Sequence, residues 1–248
     1  MPKQAWPPKT ADGVFATTQW TMIFDAARSG HEESSRALTR LCQSYWLPVY
    51  AFCRHRGNGP EEAKDLTQAF FVALIEKKDF AKADQEKGRF RSYLLQSVKF
   101  FLSNEHRKEQ AQKRGGGHLH LSIDTEEAEA FLQHALADCT TPESLFEIQW
   151  IRVVMREAAA ELRLDYARRQ KADVFDALLP FVLEDVAPSA SYEDIAVEQQ
   201  VSVTSLRMAV SRLRQRYGEI LREKIARTVD SSEEVEDEVR QLLAVLAG

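Results

Sequence analysis

Turn-forming residues are scarce. The chain has 10 Gly and 8 Pro in 248 residues, too few for a turn-rich all-β design or a disordered low-complexity chain. Cysteine is scarce too: Cys42, Cys53 and Cys139 are odd in number and show no CxxC spacing. That excludes a disulfide framework and points to reduced thiols. No apolar run is longer than Ala69–Ile75, whereas a bilayer span needs about 20 residues, so no membrane association is expected. The opening MPKQAWPPKTADG has no hydrophobic signal core, and a cytoplasmic location is expected. His118 and His120 form the only close histidine pair and lack a third ligand nearby, so neither a metal nor another cofactor is expected. There is no P-loop, no Ser-His-Asp order and no supported carboxylate pair. No catalytic residue is assigned, and the protein is not expected to be an enzyme.

What the chain does have is apolar mass for a core, at 44%, and a wet surface, at 29% charged residues. The net charge of −5 sits in one place. Between Thr228 and Gly248, Asp230, Glu233, Glu234, Glu236, Asp237 and Glu238 face the lone base Arg240, so everything before is balanced. Local excesses of base stand inside that balance. One runs from Gln85 to Arg114. The other, Val201–Arg227, carries Arg207, Arg212, Arg214, Arg216, Arg222, Lys224 and Arg227 against Glu219 and Glu223.

The pattern is helical throughout, with no strand-like alternation and no internal repeat. Residues 1–17 are a flexible lead-in. Thr18 caps a short helix to Arg28, and a second helix covers Ser35–Arg56, with Pro48 expected to kink or split it. Gly57-Asn58-Gly59 ends it. Pro60 then fits the first position of the next helix, with Glu61 and Glu62 in its first turn. Leu66, Ala69, Phe70, Ala73 and Leu74 follow its apolar stripe, and Phe71, Val72 and Ile75 exceed it. Either that helix is central or a second face docks on a partner. A further helix covers Arg89–Gln112, and Gly115-Gly116-Gly117 breaks the chain. Residues 115–140 are acidic and weakly patterned and are taken as a linker. Thr141-Pro142-Glu143 starts another helix, followed by one over 171–184. The tail from Ser231 to Ala247 is acidic and then apolar: either a solvated, disordered end, or an amphipathic helix docked through its leucines, Leu242 and Leu246 among them. The basic Arg207–Arg227 segment is the expected seat of its acids.

The segment SYEDIAVEQQVSVTSLRMAVSRLRQRY has the layout of a helix-turn-helix. Val203, Leu206, Val210, Leu213 and Tyr217 make one buried stripe. Ser202, the cap, and Thr204, Ser205, Arg207, Met208, Ser211, Arg212 and Arg214 remain outward. Short polar groups beside arginines suit phosphates and base edges in a major groove. An arginine-rich solvent face is the plain alternative. Gln200 stands where many such turns carry Gly. On the Arg89–Gln112 helix, Phe90, Leu94, Ser97, Val98, Phe101 and Leu102 face a core. Tyr93, Gln96, Phe100, Ser103 and Arg107 fall together on a flank, with Arg91, Lys99 and Asn104 near them. Aromatics beside amides and cations make a platform for unpaired bases, unless the rings only widen the core.

Taken in order, DLTQAFFVALIEK, GRFRSYLLQSVKFFLSNEHRKEQAQKR and SYEDIAVEQQVSVTSLRMAVSRLRQRYGEIL resemble the bacterial extracytoplasmic-function (ECF) sigma factors. TTQWTMIFDAARSG, LCQSYWLPVYAFCRHRG and EKIARTVDSSEEVEDEVRQLLAVLAG resemble the sigma-like proteins of planctomycetes. The resemblance implies an all-α chain of two helical domains. These are a region two bundle over 18–114 and a region four helix-turn-helix over 141–227, joined by the 115–140 linker, with an acidic helical extension over 228–248. It implies a factor that binds core RNA polymerase through the β′ clamp and β flap, recognises −35 and −10 promoter DNA and promotes melting. An anti-sigma factor is a further partner that the family admits. Asp65, Leu66, Gln68, Phe70 and Phe71 would meet polymerase. Arg91, Tyr93, Gln96, Lys99, Phe100, Ser103, Asn104 and Arg107 would open and read the −10 element. Ser202, Thr204, Ser205, Arg207, Met208, Ser211, Arg212 and Arg214 would meet the −35 element. Two other functions fit parts of the pattern: a helix-turn-helix regulator acting without polymerase, and a helical module that binds protein only.

Overall fold

The computed structural model describes residues 32–76, 90–111, 129, 132, 141–183, 191–229 and 232–247. The lead-in, the helix expected before Arg28, and nearly all of the 115–140 linker lie outside the described residues. The fold is all-α, with no strand among the described residues. The helices are α1 (Glu32–His55), α2 (Pro60–Glu76), α3 (Phe90–Ala111), α4 (Pro142–Arg168), α5 (Ala172–Leu178), α6 (Tyr192–Glu198), α7 (Val203–Ala226) and α8 (Ser232–Ala247). A 3₁₀ turn, Leu179–Phe181, follows α5. Pro180 within it lacks the N–H that would continue an α-helix.

Two compact units divide the chain. One is residues 154–224. The other gathers residues 1–153 with 225–248. In the larger unit, α1 and α2 pack together across the Gly57-Asn58-Gly59 connection. Gly57 has φ +94°, a left-handed conformation in which any Cβ would be strained. The Asn58 amide closes the turn by donating to the Cys53 carbonyl at 2.8 Å. Pro48 does not split α1, which runs through it. The lost hydrogen bond is outweighed by burial of Tyr45, Trp46, Val49, Tyr50 and Phe52 on either side of it, each worth roughly 1.5–3 kcal/mol.

Aromatic contacts tie this core together. Tyr45 meets Phe90 edge-on at 5.3 Å and stacks on Trp150 at 6.4 Å. Trp46 stacks on Tyr50 at 4.8 Å, and Phe70 meets Phe101 at 5.6 Å. Tyr50 and Arg54 both donate to Glu129, at 2.5 and 2.7 Å. Burial and the Glu129 carboxylate push the Tyr50 phenol well above its ordinary range.

The C-terminal helix α8 belongs to this same unit. Val235, Glu238 and Leu242 are buried in an i, i+3, i+7 row. Glu238 forms an ion pair with Arg91 of α3, and both side chains are almost wholly removed from solvent. Glu238 of the acidic tail therefore has its basic partner, Arg91, within the larger unit itself. Leu242 docks, as the amphipathic-helix alternative expects; the side chain of Leu246 is outside the described residues.

The smaller unit builds one core from Ala158, Leu162, Phe175, Leu178, Ile195, Leu206, Val210, Leu213, Tyr217 and Ile220. The Tyr217 hydroxyl donates to the Met155 carbonyl at 3.1 Å, and burial pushes its pKa up to about 12. Ser191 and Asp194 form a reciprocal capping box at the start of α6. Ser202 caps α7 by accepting from the Ser205 N–H at 3.1 Å. Gln200 holds φ +53° in the turn between them, so the turn keeps its left-handed residue without glycine.

Candidate nucleic-acid and polymerase interface

The helices assign their surfaces by period. On α3, Leu94, Leu95 and Val98 point inward, and Arg91 shares that side of the helix. Its guanidinium lies 5.2 Å from the Trp150 ring centroid and is paired with Glu238. Glu147 stands 4.0 Å away. Arg91 is therefore part of the interior and does not join the outer flank. On that flank, Gln96, Phe100 and Ser103 are exposed, while Tyr93, Lys99 and Asn104 are half-buried. Phe100 is 68% exposed, a large apolar ring that folding leaves in water. Tyr93 leans on Phe90 at 6.2 Å. Ser103 Oγ donates to the Lys99 carbonyl at 2.9 Å. Lys99 Nζ bonds Glu143 at 2.7 Å and holds that carboxyl below its ordinary range. The backbone of Arg107 is helical, but its side chain is outside the described residues.

On α2 the core takes only Phe71 of the apolar excess, while Val72 is half-buried and Ile75 is exposed. Gln68, Phe70 and Phe71 are buried, and only Asp65 of the expected docking set is fully exposed, with Leu66 half-buried. The surface that α2 shows instead is Glu61, Glu62, Asp65, Ala69 and partly Val72, residues at i, i+4 and i+7 spacing. Ala69 falls on the apolar stripe in the sequence yet is exposed, whereas Val72, which exceeds the stripe, is half-buried.

On α7, Thr204, Ser205, Arg207, Met208, Ser211, Arg212 and Arg214 are exposed, as is Ser202 before it. Buried Leu206, Val210, Leu213 and Tyr217 make the opposite side, so the polar face is rigidly presented. Much of the local positive charge is already engaged. Arg216 pairs with Glu219 at 3.1 Å and Glu223 at 3.6 Å. Lys224 meets Glu161 at 3.0 Å. Arg214 turns back, donating from Nε and Nη2 to the Phe181 carbonyl at 3.1 and 2.5 Å. Among the described residues no carboxylate pairs with Arg207 or Arg212. These two cations and the half-exposed thioether of Met208 form the part of α7 open to a ligand. Sequence reasoning missed the role here of Tyr192, whose ring meets Arg207, and of Phe181, whose carbonyl accepts from Arg214; nothing in the linear pattern joins them to this face.

No helix among the described residues is long and apolar enough to cross a membrane. Residues 41–112, which carry the second half of α1 with α2 and α3, match the family model described as Sigma-70 region 2. Neither the curated proteins nor the solved structures give a match.

Proposed function

We propose that the chain is a sigma factor of the ECF type: a cytoplasmic, non-enzymatic initiation factor that brings core RNA polymerase to promoters and helps to separate the strands. The observation that carries this is Phe100. It lies inside the stretch similar to Sigma-70 region 2, is 68% exposed, and has Gln96, Ser103 and Lys99 around it. An exposed ring beside amide, hydroxyl and cation is suited to hold an unstacked base. Stacking is worth roughly 1–3 kcal/mol per base, against about 1.4 kcal/mol mean stacking for each duplex step opened. Two or three captured bases therefore offset a small bubble once polymerase holds the duplex.

In this reading α7 meets the −35 element. Arg207, Arg212 and Met208 face the base edges, and Ser202, Thr204, Ser205 and Ser211 meet sugar and phosphate. Polymerase would be held at the Asp65–Ala69–Val72 face of α2 and by the β flap. Holoenzyme would first be used to select promoter DNA from a random pool. Permanganate footprinting on the selected promoter then tests the reading. Phe100→Ala is expected to leave the melting temperature unchanged, because an exposed ring contributes little to folding, and to abolish the reactive thymines of the open bubble. Full opening by the folded Phe100→Ala protein would refute the assignment of base capture to this face. Failure of the wild-type protein to bind core polymerase would refute the sigma-factor reading itself.

A further inference from the structure

Arg207 is not a free surface cation. Its guanidinium carbon lies 5.7 Å from the centroid of the Tyr192 ring. Tyr192 stacks on Phe181, with ring centroids 4.2 Å apart and planes 30° from parallel. The Phe181 carbonyl accepts two hydrogen bonds from Arg214. The three segments come from the 3₁₀ turn, the first turn of α6, and α7, and all lie in the smaller unit. The result is a ladder: Arg214 fixes Phe181, Phe181 carries Tyr192, and Tyr192 carries Arg207.

The chemistry of that last rung differs from an ion pair. A carboxylate beside Arg207 would occupy the guanidinium donors and neutralise the charge. An aromatic ring attracts the cation through its quadrupole and leaves the charge and N–H donors available. Reading a guanine needs two parallel donors held in one plane toward O6 and N7. A flexible arginine loses rotamer freedom on reaching that geometry, and holding it beforehand reduces the loss. Arg214 lies on the same exposed face of α7 yet bonds to the protein's own backbone.

We infer that Tyr192 is a positioning residue for base reading by Arg207, and that Phe181 and Arg214 hold Tyr192 in place. This inference rests on the −35 reading of α7. It assigns Arg214 to the scaffold of the reading head rather than to phosphate. It also makes specificity at one base pair depend on residues that need not touch DNA.

The test uses the full-length protein with core RNA polymerase and a set of duplexes in which each base pair of the selected −35 element is varied in turn. Competition binding gives a discrimination ratio at every position. Arg207→Ala should flatten one position. Tyr192→Leu should lower discrimination at that same position by about two- to five-fold, the range expected from an exposed cation–π contact, and leave the other positions unchanged. Tyr192→Phe keeps the ring and should keep the discrimination. If Tyr192→Leu destabilises the protein, Arg214→Gln provides the second variant, with a smaller loss expected at the same position. A Tyr192→Leu protein that discriminates fully, or that weakens equally on every duplex, overturns the positioning role while Arg207 remains a reader. If Arg207→Ala itself flattens no position, the −35 reading falls and the inference falls with it.

Discussion

Arg91 and Glu238 offer the sharpest energetic test. Their side chains are 6% and 1% exposed, so both charges have been taken out of water. Breaking a buried pair by removing one partner typically costs about 3–5 kcal/mol, because the other charge is left uncompensated. Two features reduce the cost here. Glu147 remains 4.0 Å from the guanidinium, and the Trp150 ring lies 5.2 Å from it. The expected loss for Glu238→Gln is therefore at the lower end, about 3 kcal/mol. For a protein of this size that corresponds to a fall of roughly 6–12 °C in melting temperature. The double variant Arg91→Met with Glu238→Leu removes both charges and fills the space with apolar atoms of similar length. It should recover most or all of the loss, since such replacements are often neutral or stabilising by about 1–4 kcal/mol. Thermal and urea unfolding followed by circular dichroism would measure Glu238→Gln and the four members of the cycle: the wild type, Arg91→Met, Glu238→Leu and the double variant. A loss below about 1 kcal/mol for Glu238→Gln would match a solvated surface pair and refute the burial of α8 on α3. A double variant that loses the sum of the two single losses would refute the coupling.

Other outcomes follow from local geometry. Hydrogen bonding from Arg54 holds the Glu129 carboxyl below its ordinary value. A depressed folded pKa gives stability that is complete above about pH 4.5 and lost as pH falls through the folded value. Glu129→Gln should therefore flatten the acid limb of a stability-versus-pH curve, and an unchanged limb would refute the role of this carboxylate. Burial pushes the thiol of Cys42 up to about 11 and that of Cys53 up to about 12. Both should resist alkylation at pH 8 in the native protein and react on unfolding, with peptide mapping to tell them apart; rapid native labelling of Cys53 would contradict its placement. Ser191→Ala removes one half of the capping box and should cost about 1 kcal/mol in urea unfolding, whereas no loss would mean that the cap contributes nothing to α6.

Much of the fold was legible because its signals are local. Pro60, Thr141-Pro142, Ser191 and Ser202 mark helix starts through fixed φ and side-chain caps, and α2, α4, α6 and α7 begin within a residue of them. The outward face of α7 followed from the 3-4 spacing of Leu206, Val210, Leu213 and Tyr217. Failures arose where the answer lay in distant partners. Phe71 reads as surplus because nothing in the stripe says that it packs beside Phe70 in the core. Arg91 was counted with the basic flank, although its helical position shares the side of Leu94, Leu95 and Val98. The far-off Glu238, with Trp150 and Glu147, explains how a charge can occupy that side. The Arg216–Glu219 pair is different: it is an i, i+3 contact that summing charges without pairing them along the helix concealed.

The return of the chain to its first unit bears on how the protein is made. Residues 154–224 and then α8 are synthesised after α3, at roughly 5–20 residues per second. On the order of ten seconds therefore separate the emergence of Arg91 from that of Glu238. During that interval the nascent bundle holds a cation among leucines without its carboxylate, and the seat of Val235 and Leu242 stands open. The larger unit thus completes its core only after the smaller one has left the ribosome. A messenger truncated ahead of α8 would release two units, of which the earlier-made one is the unfinished one.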